Sequence, residues 1–219
     1  MYTIGLVDDE LSQLAQIRRT IKTNAPQGIQ FDFKSYNLEG NAANLVLKVF
    51  LEVIEDIKNN RLSILIIDYK IMIQVTKVKG TDILKLIQEA IPKFPVIILT
   101  DVIAECINHN FVDPDKVYKK SEYFKIESDY SKEKTANIFR NMERYLEIRT
   151  ALEVKLSSLK EELIKKGLEQ SVFDSLVETE SQLDDFIPLN QSEIEKVFDA
   201  SKIKEVIELL EKVDKILED

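Results

Sequence analysis

The sequence predicts an α/β protein in which a five-stranded parallel sheet is doubly wound by helices and followed by an α-helical C-terminal region. Three observations predict it. Five short runs of β-branched and apolar residues, 2–7, 29–33, 62–67, 95–99 and 116–119, alternate with segments whose apolar residues recur every three or four positions. Four of these runs end in polar groups, Asp8-Asp9, Asp68, Thr100 and Lys119-Lys120. From about Ser131 the alternation stops and only helical periodicity remains. Strands that alternate with helices pair in parallel, because a tight hairpin cannot join parallel neighbours.

The elements follow in order. Tyr2 to Val7 suit a buried strand that delivers Asp8, Asp9 and Glu10 to a turn, and Leu11, Leu14, Ile17 and Ile21 mark one face of the next helix. Ile29, Phe31 and Phe33 alternate with polar neighbours as a second strand. Leu45, Val46, Val49, Phe50, Val53, Ile54 and Ile57 form the stripe of a long helix closed by Asn59-Asn60. Leu65-Ile66-Ile67 ends abruptly in Asp68. The partly basic stretch Tyr69 to Lys79 reads as irregular. Thr81 is the expected N-cap of a helix carrying Ile83, Leu84, Ile87 and Ile91. Pro95 to Leu99 make a fourth strand, a short helix follows at 103–109, and Lys116 to Lys119 make the fifth.

Residues 1–130 are expected as the α/β domain, 131–166 as a long helix continuing from it, and 167–219 as an acidic helical region. Met142, Tyr145, Arg149, Leu152, Leu156, Leu159 and Leu163 form a near-heptad seam whose polar interruption is Arg149. Gly167 is the stop signal. Phe173, Leu176, Val177 and Leu183 mark another helix, Pro188 breaks the chain, and apolar residues from Ile194 to Leu217 suggest one or two more. The seam favours packing within the chain and leaves a homodimer open.

Charge divides the chain as well. Residues 1–150 hold 21 basic and 21 acidic residues, whereas 151–219 hold 9 and 18, so the net charge of −9 lies in the last third. An acidic tail repels phosphate backbones, which argues against a nucleic-acid partner. No apolar run reaches membrane-spanning length, and the N-terminal residues lack the pattern of a signal peptide. A single cysteine, Cys106, excludes an internal disulfide and suits core packing, and a cytoplasmic location is expected. His109 is the only histidine and reads as a surface residue, so an independent hydrolase built on a nucleophile–His pair is not expected.

Ligands of doubly wound sheets bind beyond the carboxyl ends of the strands, where the polar residues fall. Singly, Asp8-Asp9-Glu10 would also serve a helix N-terminus and Asp68 a turn. Jointly, carboxylates gathered there need a cation or a proton, and magnesium, with its preference for hard oxygen donors, is the economical partner.

These residues resemble the response-regulator receiver (CheY-like) family of two-component signalling over about residues 2–150. The match lies in Val7-Asp8-Asp9-Glu10, Ile66-Ile67-Asp68, Gly80-Thr81-Asp82-Ile83-Leu84, Leu99-Thr100 and Tyr118-Lys119-Lys120-Ser121. The resemblance implies a flavodoxin/CheY-like sheet, Mg²⁺ held by Asp8, Asp9, Asp68 and the backbone carbonyl of Lys70, and Asp68 as phosphoacceptor. It also implies Thr100 as the switch hydroxyl and Lys120, with Lys119 as the alternative, at the phosphoryl group. A histidine kinase or phosphotransfer protein would be the donor, and a downstream protein would meet the acidic helical region. The chain departs from the family in the twelve-residue step from Asp68 to Gly80, in Asp101 after Thr100, which sets a fourth acid near the site, and in Ser121 where a Pro is usual. Those departures suit an alternative, a phosphorylation-independent pseudo-receiver adaptor.

Overall fold

The expected strands form one parallel sheet whose central members, 64–68 and 96–100, are buried on both faces, as a sheet covered on both sides requires. In the computed structural model, which describes residues 1–38, 42–73, 76–166 and 169–187, the strands are β1 (Tyr2–Val7), β2 (Phe31–Ser35), β3 (Ile64–Asp68), β6 (Val96–Thr100) and β7 (Val117–Lys119). Between β3 and β6 stand two further strands, β4 (Lys70–Ile73) and β5 (Thr76–Lys79). The sheet order is β2-β1-β3-β6-β7, all parallel. Counting its own strands alone, that is 2-1-3-4-5, the flavodoxin/CheY-like order.

Alternate residues of each strand face opposite layers. Ile4, Leu6, Ile64, Ile66, Ile97 and Leu99 pack with α1 (Leu11–Asn24) and with Ile138, Phe139 and Met142 of α6 (Asp129–Lys166). Val7, Leu65, Ile67, Val96 and Ile98 pack with α2 (Ala42–Lys58) and α3 (Gly80–Ala90). Cys106, in α4 (Ile103–Ile107), is buried in that second layer as expected. Asp56 of α2 is buried too, and its carboxylate accepts from Tyr36 Oη at 2.8 Å and Arg61 Nε at 3.0 Å and pairs with Lys34.

The 38 residues of α6 make a rod about 57 Å long at 1.5 Å per residue. Its second half packs on α7 (Gln170–Asp184), so the seam is satisfied within the chain. Tyr145 lies edge-on to Phe94 at 5.3 Å and stacks on Phe186 at 5.7 Å, while its hydroxyl donates to the Phe186 carbonyl at 2.6 Å. Lys93 N–H donates to the Asp185 carbonyl at 2.9 Å. Arg149, 2% exposed, bonds the Ile57 carbonyl in the last turn of α2 at 3.0 Å and Glu153 at 3.0 Å. A guanidinium there meets the negative end of the α2 dipole, which explains a charged residue inside an apolar seam.

Several expectations are corrected. Residues 70–73 and 76–79 are not irregular: β4 and β5 pair antiparallel, with Ile71, Ile73 and Val78 buried. Thr81 is not an N-cap but sits inside the first turn of α3, fully buried, with its hydroxyl unpartnered. Leu11 is 83% exposed and Val177 is exposed, so neither belongs to the packed face of its helix. In α7 Val172, Thr179 and Leu183 are buried, and Leu176 packs partly buried against the core as expected. His109 is half-buried against the Phe111 ring. Gly167, Pro188 and the helices expected within 194–217 lie outside the described residues. Among the described residues no helix is long and apolar enough to cross a membrane.

Candidate functional site

Strand register gathers the polar strand ends. Val7 pairs with Ile67, which sets Asp8 level with Asp68; Asp68 pairs with Leu99, so Thr100 lies one residue beyond; and Thr100 pairs with Lys119. Lys120 opens the short helix α5 (Lys120–Tyr123), and its Nζ lies 2.9 Å from Asp8 Oδ2 and 2.6 Å from Asp68 Oδ1. One ammonium thus bridges two carboxylates that are both buried. Lys119 turns outward to Glu122 at 3.6 Å, so of the two lysines it is Lys120 that meets the acids.

Burial pushes both the Asp8 and Asp68 carboxyls above the usual carboxylate range, against the pull of Lys120. Burial works against the Lys120 ammonium as well, but the bonds to Asp68 and Asp8 outweigh it and hold its pKa above the ordinary lysine value. Two acids on one lysine carry a net negative charge, so the site attracts a further cation or a proton.

The second Asp68 oxygen, Oδ2, accepts the Lys70 N–H at 2.9 Å. Asp8 and Asp68, joined through Lys120, are both hard oxygen donors. Asp9 is half-buried beside Asp8, and with it lines a cavity of about 710 Å³ closed by Leu11, Leu14, residues 35–38, Met72 and Ile73. Among the described residues no three acidic, His or Cys side chains gather closely enough to form a cation cluster by themselves.

Thr100 is 3% exposed, and its Oγ1 accepts the Val102 N–H at 3.1 Å, which leaves its own proton to donate. Asp101, the expected fourth acid, follows Thr100 directly. Its carboxylate accepts the Ser121 N–H at 2.8 Å, and bonding to Ser121 holds its carboxyl below the usual range.

Two features of the site escaped the sequence. Tyr69, fully buried beside Asp68, donates its hydroxyl to Glu105 of α4 at 3.1 Å, while Lys70 Nζ reaches the other Glu105 oxygen at 3.4 Å. The β4–β5 hairpin is the other. Its signal was the alternation Lys70-Ile71-Met72-Ile73 and Thr76-Lys77-Val78-Lys79 across two residues.

No protein-family model matches the chain, and no curated protein matches it. Among solved structures the chain is similar to the RcsB response regulator of Salmonella typhimurium, described in terms of conformational dynamism for DNA interaction. The identity is 14%, with 86% of this chain and 94% of that chain covered at a TM-score of 0.41. The strand order and register of this chain themselves give it a flavodoxin/CheY-like α/β fold followed by C-terminal helices.

Proposed function

We propose that the chain is a two-component signal-transduction receiver that takes a phosphoryl group on Asp68 from a histidine kinase or phosphotransfer protein and signals through protein contacts of its helical C-terminal region. The observation that carries this reading is the Lys120 ammonium shared by Asp8 and Asp68 at the carboxyl end of the sheet. An Asp68 oxygen attacks the phosphorus of a phosphoimidazole; the O–P bond forms, the P–N bond breaks, and the ring nitrogen keeps the electron pair. Lys120 then exchanges its bond to Asp68 for one to a phosphoryl oxygen, and the Thr100 proton is free to meet another. Asp8, Asp9, Asp68 and the Lys70 carbonyl would hold Mg²⁺. When bound, the ion would offset the negative charge of acceptor and phosphoryl group.

Incubation with acetyl phosphate or a cognate kinase should give a Mg²⁺-dependent, hydroxylamine-sensitive label that Asp68→Ala abolishes. No label on the wild type sinks the proposal. One observation favours the pseudo-receiver adaptor instead: both Asp68 oxygens are already bonded, to Lys120 and to the Lys70 N–H. On that reading Asp68→Ala leaves partner binding intact, while loss of residues 151–219 destroys it.

A further inference from the structure

The second half of α6 has an outer face that neither the sheet nor α7 covers. Glu147, Ile148, Ala151, Val154 and Lys155 lie at spacings of one, three, three and one, so they share one stripe of the helix. All five are exposed, Ile148 by 38% and Val154 by 64%. Isolated exposed aliphatics are ordinary, but this pair stands either side of a small residue. The stripe is also antisymmetric in charge about Ala151. Ile148 is mirrored by Val154, and the acid Glu147 by the base Lys155. Among the described residues neither Glu147 nor Lys155 makes an ion pair within the chain.

We propose that this face pairs antiparallel with the same face of a second copy, about a two-fold axis at Ala151. That axis sets Ile148 against the partner's Val154 and Glu147 against the partner's Lys155, each contact occurring twice as an isologous interface requires. Parallel pairing would set Glu147 on Glu147 and Lys155 on Lys155, and like charges select against it. Ala151 lets the two helices approach at the axis. Further out, the same register sets Arg140 opposite Glu162. Glu147, Ala151, Val154 and Lys155 also border a groove of about 710 Å³ that Tyr2 closes on the sheet side, with room for the partner's side chains. The proposal is independent of Asp68 phosphorylation.

Sedimentation equilibrium of the full-length protein up to about 200 µM tests it, since a helix pair of this length lies at the small end of specific interfaces and a micromolar dissociation constant is expected. Glu147→Lys and Lys155→Glu should each weaken the dimer about tenfold by opposing like charges twice, and the double reversal should return it to within about threefold of wild type. Ala151→Cys should form an interchain disulfide on mild oxidation, and Ser157→Cys, exposed but off the stripe, should not; the native Cys106 is buried and silent. A wild type that stays monomeric overturns the proposal, whether solvent, another protein or another part of the chain covers the face. So do a dimer indifferent to both single reversals, a double reversal that fails to restore it, and equal crosslinking of the two cysteine variants.

Discussion

Gly80 lies so close to the main chain of Asp68 that a Cβ on it would fall 2.2 Å from the Asp68 carbonyl oxygen and 2.7 Å from Ile67 Cγ2. The obstacle is backbone and cannot swing aside. Its own N–H donates to the Tyr69 carbonyl at 2.9 Å, which seats the start of α3 against the end of β3. Gly80→Ala is therefore expected to cost about 2–3 kcal/mol by overpacking, measurable as a lowered denaturant midpoint. It should also slow labelling of Asp68, because the strand end that carries the carboxylate must shift.

Lys120→Met removes the cation shared by Asp8 and Asp68. Both folded carboxyls already lie above their unfolded values, so the folded state binds protons more tightly and loses stability as pH rises from the unfolded into the folded range. Without Lys120 that loss should steepen, and urea midpoints at pH 5 and pH 7 should differ more for the variant than for wild type. Lys120 itself stabilises the fold fully below about pH 10.4 and less as pH climbs through its raised folded value. Wild type should thus lose more stability than Lys120→Met between pH 10 and 12.

Asp68→Asn keeps the shape of the side chain and removes one of two buried charges that share a single lysine. Lys120 retains Asp8 as a partner. The variant should be more stable by about 1 kcal/mol, a thermal midpoint about 2–4 °C higher, while accepting no phosphoryl group. A lowered midpoint by scanning calorimetry would contradict the charge balance described above.

Asp56 titrates in the opposite sense. Burial works against its charge, but Lys34, Tyr36 and Arg61 together outweigh burial and hold its carboxyl below the usual range. Its contribution is present above the unfolded value near pH 3.9 and is lost as pH falls through the folded one. Asp56→Asn should cost about 1–2 kcal/mol at pH 7, with the gap from wild type closing in acid.

Tyr145→Phe deletes one hydroxyl and leaves the Phe186 carbonyl without its buried donor. The expected cost is about 1–2 kcal/mol, together with faster amide exchange along α7. Arg149→Met should cost less at the C-terminal end of α2, where the Ile57 carbonyl would lose one of two donors and keep the Asn60 N–H at 3.2 Å.

The sheet was legible because its strands are short aliphatic runs with polar ends, and the order of those ends named Asp8, Asp68, Thr100 and Lys120 before any geometry. Geometry agreed with the preference for Lys120 over Lys119 and added what sequence could not show, the bond from Ser121 N–H to Asp101. The hairpin was missed because four-residue strands among lysines carry a weak periodic signal, and the loop expectation came from charge rather than alternation. Thr81 was misplaced as the N-cap by two residues, since Lys79 holds that position and Gly80 opens the helix. Leu11 fits the α1 period yet is exposed as the first residue of the helix.

The continuity of α6 bears on how such a chain can be divided. Where an α/β domain is joined to a helical region by a linker, the two can be separated or exchanged as modules. Here the rod that covers one face of the sheet also supplies Tyr145 and Arg149 to the far end, and α7 returns Asp185 and Phe186 to Lys93 and Phe94 at the threshold of β6. A cut at residue 130 or 166 would bare those contacts to water. Residues up to Ile187 therefore fold, and would have to be recombined, as one piece.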